Sequence, residues 1–449
     1  MKTMRFSTLL SVVTLVCLTI HSSSHLPCHA EWFKGNLHTH SQWSDGQPMP
    51  EWSIADYKER GYHFICPSDH NIIQTDDLNV CHLFGTNYTP ADMSAFEGET
   101  STWKPVLEKG GWARLTEDAL KKYEEKFSAD SLQTKVVDGV KFVRLKPFKE
   151  LEAQFAEPGK FLLIPGYEQT GGTKDGTQLH MNFINVTKTF PYFSGEESVG
   201  TILQKTMEEG EKLYAGENYL FFLNHPLWRF YDVSPEVLIE QDAVRHFELT
   251  NNGLTYDPHP NGWSPELFWD VVNGARLSQG KQLLYAIGSD DRHGYSHGGG
   301  WMYVNADELT TDAIFAAIHR GDSYCSNGVE LEDVSFDSET KTLRVKVKPE
   351  EGFDYRIEFI GVKKGFDAKH EVIQSDRKGD QPARQIDSYA KEISVVLKVV
   401  EGVEGECALG EDDLFIRARV LRSDSQFSPR GQLHRPAAWT QPYVSEQKP

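Results

Sequence analysis

Between Trp32 and about Asn327 the chain repeats one pattern: a short apolar run, a polar end, and a helical stretch before the next run. The strand-like runs fall at 35–40, 63–67, 161–165, 219–223, 246–249 and 283–287. The helices between them have readable ends. Helix 50–60 closes on Gly61, and Ser264 can cap a helix with Pro265 at its first position. Residues 311–320 carry Ile314, Ala317 and Ile318 on one face and stop at Gly321. Strand–helix alternation over some 300 residues predicts an α/β domain with a largely parallel sheet or barrel across 31–330.

After residue 330 the period changes to two. Leu343, Val345 and Val347 alternate with Arg344, Lys346 and Lys348, and Ile393, Val395, Leu397 and Val399, then Leu414, Ile416, Ala418 and Val420, repeat the pattern. Residues 331–449 therefore read as a small all-β, sandwich-like C-terminal domain without a catalytic constellation of its own. The stretch 71–160 is long for one connection between strands. With a helical segment at 117–127 and a strand-like piece at 140–145, it reads as an insertion or lid beside the site.

Residues 1–30 have the three parts of a secretory signal: Lys2 and Arg5, an uncharged apolar run over 11–20, and small residues ending at Ala30. The run is short for a membrane span, and no later one matches it, so an exported protein is expected, periplasmic or extracellular. Without the signal four cysteines remain, Cys66, Cys81, Cys325 and Cys407, which allow three full pairings. Their spacing matches neither a zinc ribbon nor a redox pair. The net charge of −20 argues against coating duplex nucleic acid or anionic lipid. A small phosphorylated substrate stays allowed, because bound cations reverse the local field.

The chemistry sits at the ends of the apolar runs. His38 and His40, two apart on one strand, share a face, and Asp45 follows in a turn with Gly46. Asp69-His70 ends the second run and Glu168 follows the third, with His180 twelve residues on. His225 follows the fourth run, Glu248 lies in the fifth, and Asp290-Asp291-Arg292-His293 closes the sixth. Each fragment alone is ordinary, but together they bring imidazoles and carboxylates to one end of one sheet, where α/β folds build active sites. Mixed imidazole and carboxylate donors suit zinc, manganese or iron.

These residues resemble the polymerase-and-histidinol-phosphatase (PHP) family of metal-dependent phosphoesterases, with an HxH, a downstream SDG, a strand-end DH, a lone Glu, two separate His and a final DxH. The resemblance covers roughly 32–330 and includes Trp269-Asp270 and Tyr324-Cys325-Ser326-Asn327-Gly328. It implies a distorted (β/α) barrel of seven strands and two or three divalent metal ions. One ion would take His38, His40, Glu168 and Asp291; a second would share Glu168 with His180 and His225; a third would use Asp45, His70 and His293. Asp291, rather than Asp290, has the DxH spacing. Exported members with this tail also resemble carbaryl-hydrolase-type metallohydrolases.

The expected chemistry is hydrolysis by a metal-activated hydroxide, with a metal polarising the ester oxygen. Glu168, Asp291 and His293 belong to that machinery, Arg229 and Arg292 are expected on a phosphate, and Asp69 and Glu248 are expected to fix histidine tautomers. The leading reading is a phosphoesterase for a small phosphomonoester or phosphodiester, nucleotides or short oligonucleotides included. A carboxyl-ester, carbamate or amide hydrolase is the second reading, and a non-catalytic metal-binding scaffold is the third.

Overall fold

The computed structural model describes residues 30–74, 80–83, 86–88, 111–137, 139–227, 233–251, 264–296, 299–375, 384–427 and 433–445. The signal segment before Ala30, Arg229 and the Cys81 side chain lie outside the described residues. Cys66, Cys325 and Cys407 are free thiols. No helix among the described residues is long and apolar enough to cross a membrane.

The fold is mixed α/β, with many strands and few helices. A nine-stranded sheet runs in the order Val395–Glu401, Tyr355–Lys363, Asp413–Arg422, Ala437–Thr440, Ser323–Ser326, Trp301–Ala306, Glu31–Asn36, Phe64–Ile65, Leu162–Leu163. A six-stranded sheet runs Ser194–Glu196, Gly166–Thr173, Gln178–Ile184, Leu220–Leu223, His246–Thr250, Tyr285–Gly288. Two isolated parallel bridges, Thr39 to Arg292 and His70 to Glu168, join the sheets where the chemistry-bearing residues lie. The sheets are less parallel than the alternation predicts. Gln178–Ile184 is antiparallel to both neighbours, and its pairing with Gly166–Thr173 is a hairpin turned at Asp175-Gly176, with Gly176 at φ +83°.

Apolar side chains of the strands pack in two layers. Leu37, Phe64, Ile164, Phe222, Ile287 and Val304 meet Ile314, Phe315 and Ile318 of the Thr311–Arg320 helix, which Thr310 caps at its N-terminus and Gly321 ends in the left-handed region. Leu179, Met181, Leu223, Phe247 and Ala286 meet Trp269 and Val272 of the Pro265–Ser278 helix. The segment after His70 contributes the Glu117–Glu124 helix and a five-stranded sheet containing Gly111–Arg114 and Val140–Arg144. Its Ala113, Leu115, Tyr123 and Val143 pack on Trp43, Met49 and Trp52, which flank Asp45 in the chain.

In the C-terminal region a three-stranded sheet, Leu331–Asp337, Thr342–Val347 and Glu404–Ala408, faces part of the nine-stranded one across Leu343, Val345, Ile357, Phe359, Ile416 and Val420. That larger sheet is continuous with the N-terminal strands, since Ala437–Thr440 pairs with Ser323–Ser326. A second seam is ionic. Arg417, 1% exposed, grips both carboxylate oxygens of fully buried Asp270 at 2.7 Å, and Arg417 and Arg419 both reach Glu266. Gln441 then uses its side-chain amide as a strand would, accepting from Ala286 N at 2.9 Å and donating to Ala286 O at 2.8 Å.

Breaking that seam leaves a buried guanidinium half-compensated, so Asp270→Ala is expected to cost about 3 kcal/mol in denaturant unfolding. A second expectation concerns His246, 2% exposed beside His319 and Arg245, whose imidazole burial holds well below its usual pKa. The unfolded chain then binds the extra proton first, so stability falls as pH drops below about 6.5. His246→Leu should flatten that part of the stability–pH curve between pH 7.5 and 5.

Candidate metal centre

Leu37 to Ser41 leave the first strand still extended, held by the Thr39–Arg292 bridge, so alternate side chains turn the same way. The Nε2 atoms of His38 and His40 lie 3.1 Å apart. Asp45 is carried back toward them by a turn in which a Cβ on Gly46 would stand 2.5 Å from the backbone of His40 and Ser41, which restricts the position to glycine. Asp291, His225 and His70 follow strand ends. His180 instead sits inside the antiparallel Gln178–Ile184 strand, which lies outside the expected apolar runs.

Everything converges on Glu168, which is fully buried. Its Oε2 lies 3.3 Å from His38 Nε2, 3.2 Å from His40 Nε2 and 2.9 Å from His70 Nδ1. Its Oε1 lies 3.1 Å from His180 Nδ1 and 3.5 Å from His225 Nε2, and it accepts from Asn224 Nδ2 at 2.7 Å. Asp291 Oδ1 caps the first group, 3.2 Å from His38 Nε2 and 3.0 Å from His40 Nε2. On the outer side His293 Nε2 lies 3.2 Å from Asp45 Oδ1, and His70 Nε2 lies 3.7 Å from Asp45 Oδ2. Three overlapping sets, His38–His40–Glu168, His70–Glu168–His180 and His40–Asp45–His70–His293, hold their donor atoms within 4.8 Å of one another.

The donor set fits divalent cations. Glu168 Oε2 and Asp291 Oδ1 are buried and accept no hydrogen bond, yet each faces imidazole nitrogens. Ligand atoms about 2.1 Å from a shared ion stand roughly 3–3.4 Å apart, the spacing seen here. The electrostatics point the same way. Burial would push the Glu168 carboxyl up, but the imidazoles, His70 and His38 foremost, hold it well below the usual carboxylate range. Burial likewise holds His180 down at about 4, against the pull of Glu168. His293, nearer solvent, is raised to about 10 against its burial by Asp291 and Asp45. Side-chain exposure runs from none at His38, His40 and Glu168 to 35% at His293 and 37% at Asp45, so the centre opens on its Asp45–His293 side.

A ring of hydrogen bonds aims these groups. Glu248 Oε1 accepts from His38 Nδ1 at 2.9 Å and from Ser289 Oγ, leaving His38 Nε2 to the centre. Glu248 Oε2 accepts from the His225 backbone N–H and from Asn251 Nδ2, both at 2.9 Å, and Asn251 Nδ2 also reaches Asp291 Oδ2 at 3.1 Å. Asp69 touches no imidazole among the described residues. It takes Ser44 Oγ–H at 2.6 Å and the Ser41 N–H at 2.8 Å, and Ser44 Oγ stands 3.3 Å from His40 Nδ1, so Asp69 acts on His40 one residue removed. Ser44, the serine of the SDG, and Asn224, beside His225, lie in segments the sequence marks without a role for them, and Asn251 carries no spacing signal.

Two neighbours of Asp291 point elsewhere. Asp290 accepts from Asn36 Nδ2 and Tyr57 OH, both at 2.6 Å. Arg292, expected on a phosphate, is fully buried against the Pro50–Glu59 helix, donating to Asp56 Oδ2 at 2.7 Å and to Ser53 O and Oγ, with Tyr57 beneath its guanidinium at 4.1 Å. Asp290 and Arg292 thus turn together toward Tyr57 and the Pro50–Glu59 helix, while Asp291 between them faces the cluster. The backbone is strained where the ligands sit. His225 at φ 24° and Asp291 at φ 45° occupy a region side chains rarely adopt, and Asn71, next to His70, lies at φ 54°.

No protein-family model matches the chain, and no curated protein matches it. A solved structure, that of a two-domain protein containing a predicted PHP-like metal-dependent phosphoesterase from Bacteroides vulgatus, is similar over 91% of this chain and 95% of that one, with 14% identity and a TM-score of 0.36.

Glu248→Gln keeps the shape but gives one carbonyl oxygen where four donors need two. Metal affinity, measured by competition with a chromogenic zinc chelator, is expected to fall about 10–100-fold. Unchanged affinity would show that the ring of hydrogen bonds has no hold on the centre.

Proposed function

We propose that the chain is a metal-dependent hydrolase of small esters, with a phosphomonoester or phosphodiester as its leading substrate class. Nucleotides and short oligonucleotides fall within that class. The observation that carries this reading is Glu168, one buried carboxylate with both oxygens shared among five imidazoles. His38, His40, Glu168 and Asp291 would hold one ion, His180 and His225 with Glu168 a second, and Asp45, His70 and His293 a third. Zinc, manganese or iron in those places supplies an activated water and an electrophile for the ester oxygen.

The chain's own residues bind and orient. Glu248 and Ser44 keep Nε2 of His38 and His40 turned inward. Substrate enters on the Asp45–His293 side, where the segment after His70 forms a wall through its packing on Trp43 and Trp52. That wall is the natural determinant of substrate choice. Arg229 is the remaining arginine of the sequence reading for a phosphate.

A second reading, hydrolysis of a carboxyl or carbamate ester, is favoured by one observation: Arg292 is committed to the Pro50–Glu59 helix. Further proposals follow from sequence and pairing together. The signal-like residues 1–30 support export, and the two bridges between the sheets support reading seven of their strands as one distorted barrel.

The test is a paired turnover assay on protein reconstituted with manganese or zinc, comparing aryl phosphate mono- and diesters with aryl acetate and an aryl carbamate. Phosphoester turnover that falls about a hundredfold or more in Asp291→Asn is the expected result. Turnover of the carbon esters alone would replace the leading reading with the second.

A further inference from the structure

A separate cleft of about 700 Å³ is lined by Lys34, Arg60, Tyr62, Trp301, Arg422 and Phe427, none of them a residue of the metal cluster. Its centre is an ammonium held by rings. Lys34 Nζ lies 4.2 Å from the centroid of Tyr62 and 4.4 Å from that of Trp301. Ring faces attract a cation but leave its N–H groups without a strong acceptor. The acids that act on Lys34 do so only through space. Glu330 is paired with Lys348 at 2.8 Å, and Asp290 accepts from Tyr57 and Asn36.

The carboxylates at the cleft wall are also committed, Glu59 to Lys126 and Glu350 to Arg422 at 2.7 Å. Among the described lining residues the charge left without a paired opposite is therefore that of Lys34, with Arg60, 39% exposed and bound to Asp56 through Nε, beside it. Burial holds the Lys34 amine down at about 8, the mark of an ammonium short of acceptors. Phe427, 73% exposed, adds an apolar rim. A neutral sugar would need a bare ring face, and the ammonium already covers those of Tyr62 and Trp301.

We propose that this cleft is a second binding site, for a small organic anion whose carboxylate or phosphate meets Lys34 Nζ and whose apolar body lies toward Phe427. The site stands apart from the metal centre, and its test does not depend on the hydrolase reading.

The test follows acetylation of Lys34 by peptide mass spectrometry on the full chain, in benzoate, inorganic phosphate or chloride at matched ionic strength. Benzoate or phosphate near saturation is expected to slow the modification about tenfold relative to chloride, by mass action. Protection by one of the two fixes the anion's class. The same protection is expected in Asp291→Asn, which separates the cleft from the metal centre. Lys34→Met keeps the apolar stem and should abolish the binding heat of the protecting anion in calorimetry while the melting temperature holds. Equal slowing in chloride, no slowing by either anion, or protection lost in Asp291→Asn would overturn the proposal.

Discussion

A single buried carboxylate organises this molecule. Glu168 is far from water, and an ionised acid there is tolerable only with positive or hydrogen-bonding partners on both oxygens. The fold supplies them from four separate segments of chain, around His38 and His40, at His70, at His180, and at Asn224 and His225. The position of Glu168 is itself a product of backbone chemistry. Between Leu163 and Gly166 the chain leaves one sheet and enters the other, through Pro165, which has no N–H to give to a ladder. Gly166 is needed at that crossing, where a Cβ would stand 2.6 Å from Cys66 Sγ and 2.7 Å from Phe183 O. The corner sets Glu168 between two sheets, within reach of residues from both.

The strain at His225 and Asp291 belongs to the same arrangement. Unfavourable backbone conformations persist only where surrounding contacts over-determine them. Here the His225 N–H is held by Glu248 and the Asp291 N–H by His38 O at 3.1 Å, so ligand direction is set by the backbone as well as by rotamers. Such a centre reorganises little when charge changes within it, which is what electrostatic catalysis requires.

Much of this was legible in the sequence, for physical reasons that differ by element. Apolar runs bounded by turn residues mark strands because burial demands them, and Phe64–Ile65, Leu162–Leu163 and Leu220–Leu223 lie inside the expected runs. The imidazoles and carboxylates were legible because few other arrangements need so many ionisable groups at strand ends. The strand Gln178–Ile184 lies outside the expected runs, although Asp175-Gly176 before it is a hairpin signal. The setting of Arg292 was out of reach, since spacing alone does not say which of two adjacent charged residues turns inward. The partners Asn251 and Ser44 become visible only once distant segments are in contact.

The amide of Gln441 clasps Ala286, 155 residues earlier in the chain, and Ala286 sits in the strand that leads to Asp291. Ala437–Thr440 likewise completes the sheet beside Ser323–Ser326. During synthesis, then, the first 330 residues emerge with an open sheet edge and an unsupported ligand strand. Contacts this distant are slow to form, and an exposed edge invites pairing with other chains. The ligand strand and that sheet edge therefore gain these supports only when the residues 437–441 are in place.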